Sequence, residues 1–229
     1  EDPAVTVKFK VVEEDKTYLL AWTTTPWTLP ANVAIAAHPE LIYVKVKIHE
    51  TDETLIFAEA RMNDALQQYY PLKSDAEVPF EVIERKKGSE LAGLHYEPLY
   101  TFVVPDKDAY RVVAMEYVSV DDGTGLVHTA PAFGEEDFLA AKKHDLPVLL
   151  TVDEEGKQMR EMGPFAGLPI KQSDEPIIRD LDSRGLLYRQ ERVVHSVAVC
   201  WRCNTQLLYR AQPAWFVNVT KLKPKLLET

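Results

Sequence analysis

Residues 121–138 read D-D-G-T-G-L-V-H-T-A-P-A-F-G-E-E-D-F, and this stretch decides the fold prediction. Two glycines near its start permit a tight turn into a short strand over residues 126–129. A proline and a third glycine then turn the chain into a helix over residues 135–144, whose acidic start and basic end suit the helix dipole. His128 lies at the end of the strand and Asp137 in the first helical turn, so both can face one cavity.

Taken alone, each of these two side chains also has a purely structural explanation. Asp137 can cap its helix, with Glu135 and Glu136 as equivalents, although a carboxylate at this place can instead bind an ammonium group. His128 can be a buried histidine whose ring nitrogens are satisfied within the core. The stretch therefore predicts a strand-to-helix crossing and leaves the role of these side chains open.

A second stretch, residues 21–32, reads A-W-T-T-T-P-W-T-L-P-A-N. Its hydroxyl groups form a dense row of small donors and acceptors that can hold a ribose, a carbonyl group or a water molecule without adding charge. The alternative is a β-branched strand that runs into a proline-rich turn. The two tryptophans favour a pocket, because aromatic side chains often wall a binding site.

Patterns typical of β-strands dominate the first half of the chain around these two stretches. Alternating or β-branched runs predict strands over residues 5–12, 17–25, 41–48, 54–58, 78–84, 101–104 and 111–120. Further helices are predicted over residues 59–69 and 174–184. Many short strands and 15 prolines predict a mainly β (α+β) fold. We expect a closed β-barrel with peripheral helices over residues 1–190 and a small C-terminal connector over residues 191–229. Within the connector, an aromatic strand followed by a Lys-rich tail is expected from residue 212 onward.

Composition and charge argue against several classes of protein. The 229 residues are 46% hydrophobic and 27% charged, as in ordinary globular proteins. The formal net charge of −10 argues against a protein that grips nucleic acid by bulk electrostatics. No apolar run approaches the roughly 18 residues of a membrane span, and the start lacks the features of a signal peptide. The chain starts like a strand and without an initiator Met, so we expect part of a longer protein.

Two cysteines, Cys200 and Cys203, are spaced C-x-x-C. Two cysteines cannot build a disulfide framework, so a reducing cytoplasm is the expected location. The pair supplies two of the four ligands of a structural zinc ion, and His195 is too close to complete a standard site. A redox pair and two reduced buried cysteines remain alternatives.

Read together, residues 22–32 and 123–138 are similar to the editing insertion of the class I aminoacyl-tRNA synthetases for isoleucine, valine and leucine. The T-T-T-P-W-T-L-P form resembles the isoleucine enzymes, because the others usually carry an Arg and an acidic residue where this sequence has Thr25 and Trp27. Further similar segments, which extend the resemblance over essentially the whole chain, are L-A-G-L-H-Y-E-P-L, F-A-G-L-P-I and C-W-R-C-N-T-Q-L-L-Y-R. The last is usually preceded by Pro-His, where this chain has Ala198 and Val199.

The resemblance implies a hydrolytic editing domain that removes valine from the 3′ end of isoleucine tRNA. The ATP-site signatures of the family, of the H-I-G-H and K-M-S-K-S type, are missing, so no ligase activity is expected. The expected partners are that tRNA end and the rest of the parent synthetase, without a membrane. No cofactor is expected for editing. Isoleucine enzymes carry paired C-x-x-C motifs, which implies that Cys200 and Cys203 form half of a zinc site in the full-length parent.

The resemblance also implies a set of site residues. Asp137 is expected to hold the α-ammonium group, while His128 and Thr25 limit the volume left for the side chain. A role of His128 as a base stays open as the alternative to this role as a wall. A water molecule held near Thr24 and Thr25 is expected to attack the ester, since an aminoacyl ester is already activated. The residues expected to bind substrate around them are Trp22, Thr23, Thr28, Asn32 and Phe133.

Three other functions remain as alternatives at this point. The chain can be a module that binds the tRNA 3′ end and is inactive without the parent enzyme, which the acidic charge favours. It can also be the editing domain of a valyl-tRNA synthetase that acts on threonyl-tRNA. A zinc-stabilised structural insert without a pocket is the third.

Overall fold

The computed structural model describes residues 1–70, 78–194 and 196–227. The strands in these ranges are β1 Asp2–Lys10, β2 Thr17–Thr23, β3 Ala34–Ala37, β4 Ile42–Ile48, β5 Thr54–Ala58, β6 Phe80–Lys87, β7 Arg111–Ala114, β8 Leu126–Thr129 and β9 Leu187–Val193. The α-helices are α1 Met62–Ala65, α2 Gly88–Leu91, α3 Glu135–His144, α4 Ile170–Ser183 and α5 Val219–Leu227. Short 3-10 helices cover Pro26–Ala31, Glu59–Arg61, Gln67–Tyr69 and Arg160–Phe165.

The strands form one curled sheet with the order β6-β4-β5-β2-β8-β3-β7, and β1 joins β2 to β9. On the side of β2 away from β1, residues Thr17 to Leu19 pair with β5, whereas Trp22 pairs with Val127 of β8. The two neighbours of β2 therefore diverge along its length. The C-terminal end of β2 and the strand β8, which carry the two stretches singled out above, lie next to each other.

The core lies inside the curl of the sheet and under α4. Alternate side chains of β1 and β2, among them Val7, Phe9 and Leu19, are fully buried there together with Ile177 and Leu181 of α4. Each large apolar side chain that is withdrawn from water contributes about 1.5–3 kcal/mol. This packing fixes α4 against the sheet and against the 3-10 helix Pro26–Ala31.

The predicted mixed, mainly β architecture with peripheral helices is confirmed, and the hydrogen-bonded strand path makes it a curled half-barrel. The strands over residues 54–58 and 126–129 and the helix over 135–144 have the predicted bounds. The predicted strand over residues 101–104 is wrong: these residues pair with no strand among those described, and Phe102 instead stacks on Tyr100 with ring centroids 5.3 Å apart.

The predicted helix over residues 59–69 is also wrong as a continuous element. It is broken into two 3-10 turns around the single α-turn α1. Side chains of β9 take the carbonyl oxygens that a longer helix would use: Tyr188 donates to the oxygen of Ala65 at 2.6 Å and Arg189 to that of Asp64 at 2.9 Å. Tertiary contacts therefore override the local helical pattern.

The C-terminal part differs from expectation. Residues 212–218 form no strand with any described residue, and the chain then enters α5. Trp215 and Phe216 are almost fully exposed, so the aromatic pattern of this segment does not reflect burial in a sheet. No helix in the described part of the chain combines the length and the apolar character that a bilayer span requires.

Candidate functional site

The threonine turn, residues 23–31, begins where β2 ends at Thr23, two residues earlier than predicted. The hydroxyl of Thr23 accepts from the backbone N–H of Thr25 at 3.1 Å, and the hydroxyl groups of Thr25 and Thr28 lie 3.3 Å apart. Thr28 donates to the carbonyl oxygen of Thr25 at 2.8 Å. The threonines thus organise each other into a fixed row of oxygen atoms.

Two buried side chains that are distant in sequence from the threonine turn form hydrogen bonds with the backbone of Trp27 and so fix the turn in place. The carboxylate of Asp174 accepts from the N–H of Trp27 at 2.9 Å, and the amide of Gln158 donates to its carbonyl oxygen at 3.1 Å. Gln158 is tied in turn to Ser173 at 3.2 Å. Both backbone polar groups of Trp27 are therefore held by α4 and by the segment that precedes it.

His128 stands at the centre of a chain of buried hydrogen bonds. The Tyr96 hydroxyl donates to Oδ1 of Asn32 at 2.6 Å, and Nδ2 of Asn32 donates to the carbonyl oxygen of Ala34 at 3.0 Å. These two contacts fix which way the Asn32 amide points, because a backbone carbonyl only accepts. The other hydrogen on Nδ2 then meets Nδ1 of His128 at 3.1 Å, so Nδ1 must be the acceptor.

The remaining ring nitrogen of His128 consequently carries the proton. Nε2 lies 2.8 Å from the hydroxyl of Thr28, which already donates to a carbonyl and can accept here. Burial lowers the pKa of His128 to about 4, and a second ring proton would face the N–H of Asn32. His128 is thus a neutral imidazole with both nitrogens engaged, which suits a wall better than a base.

Asp137 lies in the first turn of α3 but does not cap it, since the start of α3 at Gly134 has no side-chain cap. Its Oδ2 instead accepts from the backbone N–H of Ala130 at 2.9 Å. Burial raises the pKa of the Asp137 carboxyl from 3.8 to about 6. A carboxylate that is costly to bury without a counter-charge is a favourable partner for a cation.

One cavity of about 370 Å³ brings most of the predicted residues together. Threonines from the turn line one side and α3 lines the other. Three of the lining side chains are carboxylic acids and none is Lys or Arg, which favours a cationic ligand group over a phosphate. The lining residues are Trp22, Thr23, Thr24, Thr25, Thr28, Tyr117, Ser119, Asp122, Val127, His128, Ala130, Phe133, Glu136 and Asp137.

Asn32 is the predicted substrate-binding residue that does not line this cavity. It is buried behind His128 and orients that ring. Trp22 lines the cavity and is anchored by its indole N–H, which donates to Glu191 of β9 at 2.9 Å. Phe133 packs edge-on against Trp27 with ring centroids 5.1 Å apart.

Sequence reasoning missed Tyr117, Asp174 and Gln158. Asp174 had a visible signal: it precedes Ile177, Ile178 and Leu181 on the apolar face of α4, where an acidic residue needs a partner. Tyr117 fell inside the predicted strand over residues 111–120, which ends at Ala114 in the structure. We find no local sequence signal for Gln158.

A larger cavity of about 580 Å³ shares Thr25 and Phe133 with the first. Its charged residues are Glu154, Glu155 and Lys171, and it contains neither Asp137 nor His128. The smaller cavity is therefore the candidate site, because it alone of the two joins the threonine row to the buried carboxylate.

Cys200 and Cys203 are free thiols outside this cavity. Within residues 1–70, 78–194 and 196–227, no group of three or more His, Cys, Asp or Glu side chains is placed to hold a metal ion. His195 lies outside the described residues. The half zinc site stays a prediction that requires ligands from elsewhere in a longer chain.

Comparison with known proteins gives a consistent result. The chain is 46% identical over 222 residues to an isoleucine–tRNA ligase of Clostridium tetani, 44% over 229 residues to that of Bdellovibrio bacteriovorus and 40% over 238 residues to that of Pyrococcus horikoshii. These alignments cover 97–100% of this chain but only 20–22% of each relative, so the chain spans about a fifth of their length. No protein-family model matches.

Among solved structures, the editing domain of the P. knowlesi cytosolic leucyl-tRNA synthetase matches with a TM-score of 0.61 at 12% identity, covering 92% of this chain and 97% of that domain. The corresponding P. falciparum domain gives 0.58 at 12% identity, covering 80% and 98%. Identities this low establish the fold alone. The chain thus has the fold of the leucyl-tRNA synthetase editing domains, and its sequence is similar to a segment of the isoleucine–tRNA ligases.

Proposed function

We propose that this domain hydrolyses the ester bond between valine and the 3′-terminal ribose of isoleucine tRNA, releasing free valine and intact tRNA. The observation that carries the proposal is the single cavity in which the threonine row faces the partly buried carboxylate of Asp137. A valyl ester presents an ammonium group, an ester carbonyl and a ribose within one short molecule. These groups match the acidic and the hydroxyl-lined sides of the cavity.

Discrimination between valine and isoleucine is the task that such a site would serve. In a hydrophobic pocket one methylene is worth only about 1–3 kcal/mol, a general rule for which the selection of isoleucine over valine is the standard example. A second site that admits only the smaller side chain corrects the resulting errors. The rigidly held ring of His128, next to Thr28 and Thr25, is suited to exclude the extra methylene of isoleucine.

The chemistry we propose uses a bound water molecule rather than a side-chain nucleophile. His128 is a poor base because its Nδ1 already accepts a hydrogen bond and its Nε2 carries a proton. The threonine hydroxyls can instead orient the water and stabilise the negative charge that develops on the ester oxygen. The ammonium group, anchored at Asp137, makes the carbonyl carbon more electrophilic.

The direct test is deacylation of isoleucine tRNA charged with radiolabelled valine or isoleucine by the isolated chain. We expect the valyl ester to be hydrolysed and the isoleucyl ester to be spared. Equal hydrolysis of both esters would contradict the proposal that the site admits valine and excludes isoleucine. Binding of the charged tRNA without hydrolysis, even at high protein concentration, would favour a binding module that needs the parent enzyme, in line with the net charge of −10.

Two further experiments test the proposed specificity for valine: one substitution tests the size limit, and one other substrate tests the assignment to isoleucine tRNA. His128→Ala removes the wall, so hydrolysis of the isoleucyl ester should rise by roughly tenfold toward that of the valyl ester. Unchanged rejection of isoleucine would show that His128 does not set the size limit. Faster hydrolysis of threonyl-tRNA for valine than of the valyl ester would assign the chain to valyl-tRNA editing.

A further inference from the structure

One arginine, in the 3-10 turn that follows β5, holds the loop of residues 119–123, which leads to β8. Nε of Arg61 donates to the carbonyl oxygen of Gly123 at 3.0 Å. Its Nη1 donates to the carbonyl oxygens of Val120 and Asp121, both at 3.3 Å. A planar guanidinium group presents several N–H donors at fixed angles, which a lysine ammonium group does not. Arg61 thus fixes three carbonyl groups of one loop.

The loop has little other support within the described ranges. Its remaining hydrogen bond is local, from the N–H of Asp121 to Oγ of Ser119 at 3.4 Å. Thr124, directly beyond the loop, is held independently of Arg61. Its hydroxyl donates to a carbonyl oxygen of β2 at 2.6 Å, and its own carbonyl oxygen accepts from the end of β5 at 2.9 Å. Loss of the guanidinium group should therefore loosen the loop and leave β8, with His128, in place.

The loop forms one side of the cavity. Ser119 and Asp122 line the cavity with exposed side chains, so they lie at its open edge. The backbone of Gly123 packs directly on Trp22, because a Cβ atom on this glycine would lie 3.0 Å from that of Trp22. Trp22 lines the cavity as well. Arg61 is not a lining residue, so it acts on this side of the cavity only through the loop.

From this arrangement we infer that Arg61 is a positioning residue, which holds residues 119–123 and Trp22 in place for the terminal nucleoside of the substrate. The inference rests on the proposed function, in which Asp137 takes the ammonium group and the threonine turn takes the ester. The nucleoside is the part of the ligand that is left for the remaining side. There Trp22 presents an aromatic surface, and the loop presents a hydroxyl and a carboxylate that can accept hydrogen bonds from ribose.

The separation of this side from the reacting groups gives the variant a kinetic signature. Contacts with the nucleoside are made alike in the ground state and the transition state, so their loss raises KM and spares kcat. In Arg61→Ala, KM for valyl-tRNA should rise about tenfold, while kcat stays within about twofold of the wild type. A lowered kcat at unchanged KM would overturn the inference, because the loop would then act on the reacting groups.

A small probe separates this role from a contact between Arg61 and a tRNA phosphate. The probe is a valyl-adenosine analogue that has an amide in place of the ester and carries no phosphate. Its affinity, measured by calorimetry, should also fall about tenfold in Arg61→Ala. A loss seen with tRNA but not with the probe would assign Arg61 to a phosphate contact instead. A wild-type chain that neither binds the probe nor hydrolyses valyl-tRNA would refute the proposed function, and this inference with it.

Arg184→Ala is the matched control. Arg184 also donates to a loop carbonyl oxygen, that of Leu99 at 2.9 Å, and pairs with Asp180 at 2.8 Å, but none of these residues lines the cavity. The control should therefore leave KM and the affinity for the probe unchanged. Equal effects of Arg184→Ala and Arg61→Ala would show general destabilisation and would contradict a role specific to the loop.

Two further measurements test whether the shape of the guanidinium group matters or only its charge. Arg61→Lys keeps the charge but loses the donors at fixed angles, so its KM should rise nearly as far as that of Arg61→Ala. Millimolar ethylguanidinium should lower the KM of Arg61→Ala toward the wild-type value, whereas ethylammonium should not. A wild-type KM in Arg61→Lys, or equal rescue by the two cations, would reduce Arg61 to a positive charge and overturn the positioning role.

Discussion

The helices α3 and α4 each carry an aspartate near the N-terminus, Asp137 and Asp174, and the two carboxyl groups are alike in most respects. Asp137 accepts a backbone N–H from Ala130 and Asp174 one from Trp27, both at 2.9 Å. Burial raises the pKa of each to about 6. They differ in surroundings: Asp137 borders the cavity, whereas Asp174 is enclosed between α4 and the threonine turn. Because Asp137 is open to a ligand and Asp174 is not, we propose a binding role for Asp137 and a positioning role for Asp174.

The largest expected effect is a difference in kcat/KM between the two variants in which Asp137 or Asp174 is replaced by Asn. Asp137→Asn keeps an acceptor for Ala130 but loses the charge that binds the ammonium group, so kcat/KM for valyl-tRNA should fall about 100-fold. Asp174→Asn also keeps an acceptor, and activity should be nearly unchanged. Deacylation assays on both variants test this. Similar losses in the two would break the comparison.

A smaller effect is expected when the Asp174 side chain is truncated. Asp174→Ala leaves the buried N–H of Trp27 without a partner, which should cost about 1–3 kcal/mol of unfolding free energy in urea titrations. The shifted threonine turn should lower kcat roughly tenfold with little change in KM. A kcat near that of the wild type in Asp174→Asn would identify a positioning role for Asp174. A similar loss of kcat in Asp174→Asn and Asp174→Ala would instead show that the negative charge is required.

The pH dependence should follow Asp137. Binding of the ammonium group needs the ionised carboxylate, whose pKa in the free protein is about 6. Between pH 7 and 5, kcat/KM should therefore decline and approach a tenfold loss per pH unit below 6. His128, with a pKa near 4, stays neutral in this range and adds no inflection. The pH profile of Asp137→Asn should be flat. A flat profile in the wild type as well would contradict the prediction that activity depends on ionisation of the Asp137 carboxyl.

The smallest effect is expected at Gly134, directly before α3. A Cβ atom there would lie 3.1 Å from Oδ2 of Asp137, which is tight but can be relieved by a shift of a few tenths of an ångström. Gly134→Ala should raise KM about threefold through that displacement. Gly156→Ala is unsuitable as a control because of its positive backbone φ. The control is Ala140→Gly within α3, which destabilises that helix without adding an atom next to Asp137.

The sequence predicted those parts of the fold and site that depend on nearby residues. The bounds of β5, β8 and α3 follow from local alternation, glycine turns and charge placement. β3 was missed, because the run A-I-A-A contains a single strong β-former, Ile35, between alanines and is held as a strand by pairing with β7 and β8. Contacts across the sheet, not local preference, make that segment a strand.

In the site, most of the residues of the threonine row and the pair His128 and Asp137 could be named from the sequence, whereas the residues that hold them could not. Asp137 and His128 lie within one short stretch, next to recognisable turns. The clamp on Trp27 spans 131 residues to Gln158 and 147 to Asp174, and no periodicity encodes such a contact. Asn32 was named for the pocket and instead orients His128 from behind, because its amide geometry depends on Tyr96.

The clamp on Trp27 has a consequence for the order in which the site can be completed during synthesis. Every residue that borders the cavity lies between positions 22 and 137, but Gln158 and Asp174 leave the ribosome later. A nascent chain that has emerged only as far as α3 contains the whole lining without the support of its threonine row. The threonine row that we propose for hydrolysis therefore gains its full support only after α4 has been made and has docked.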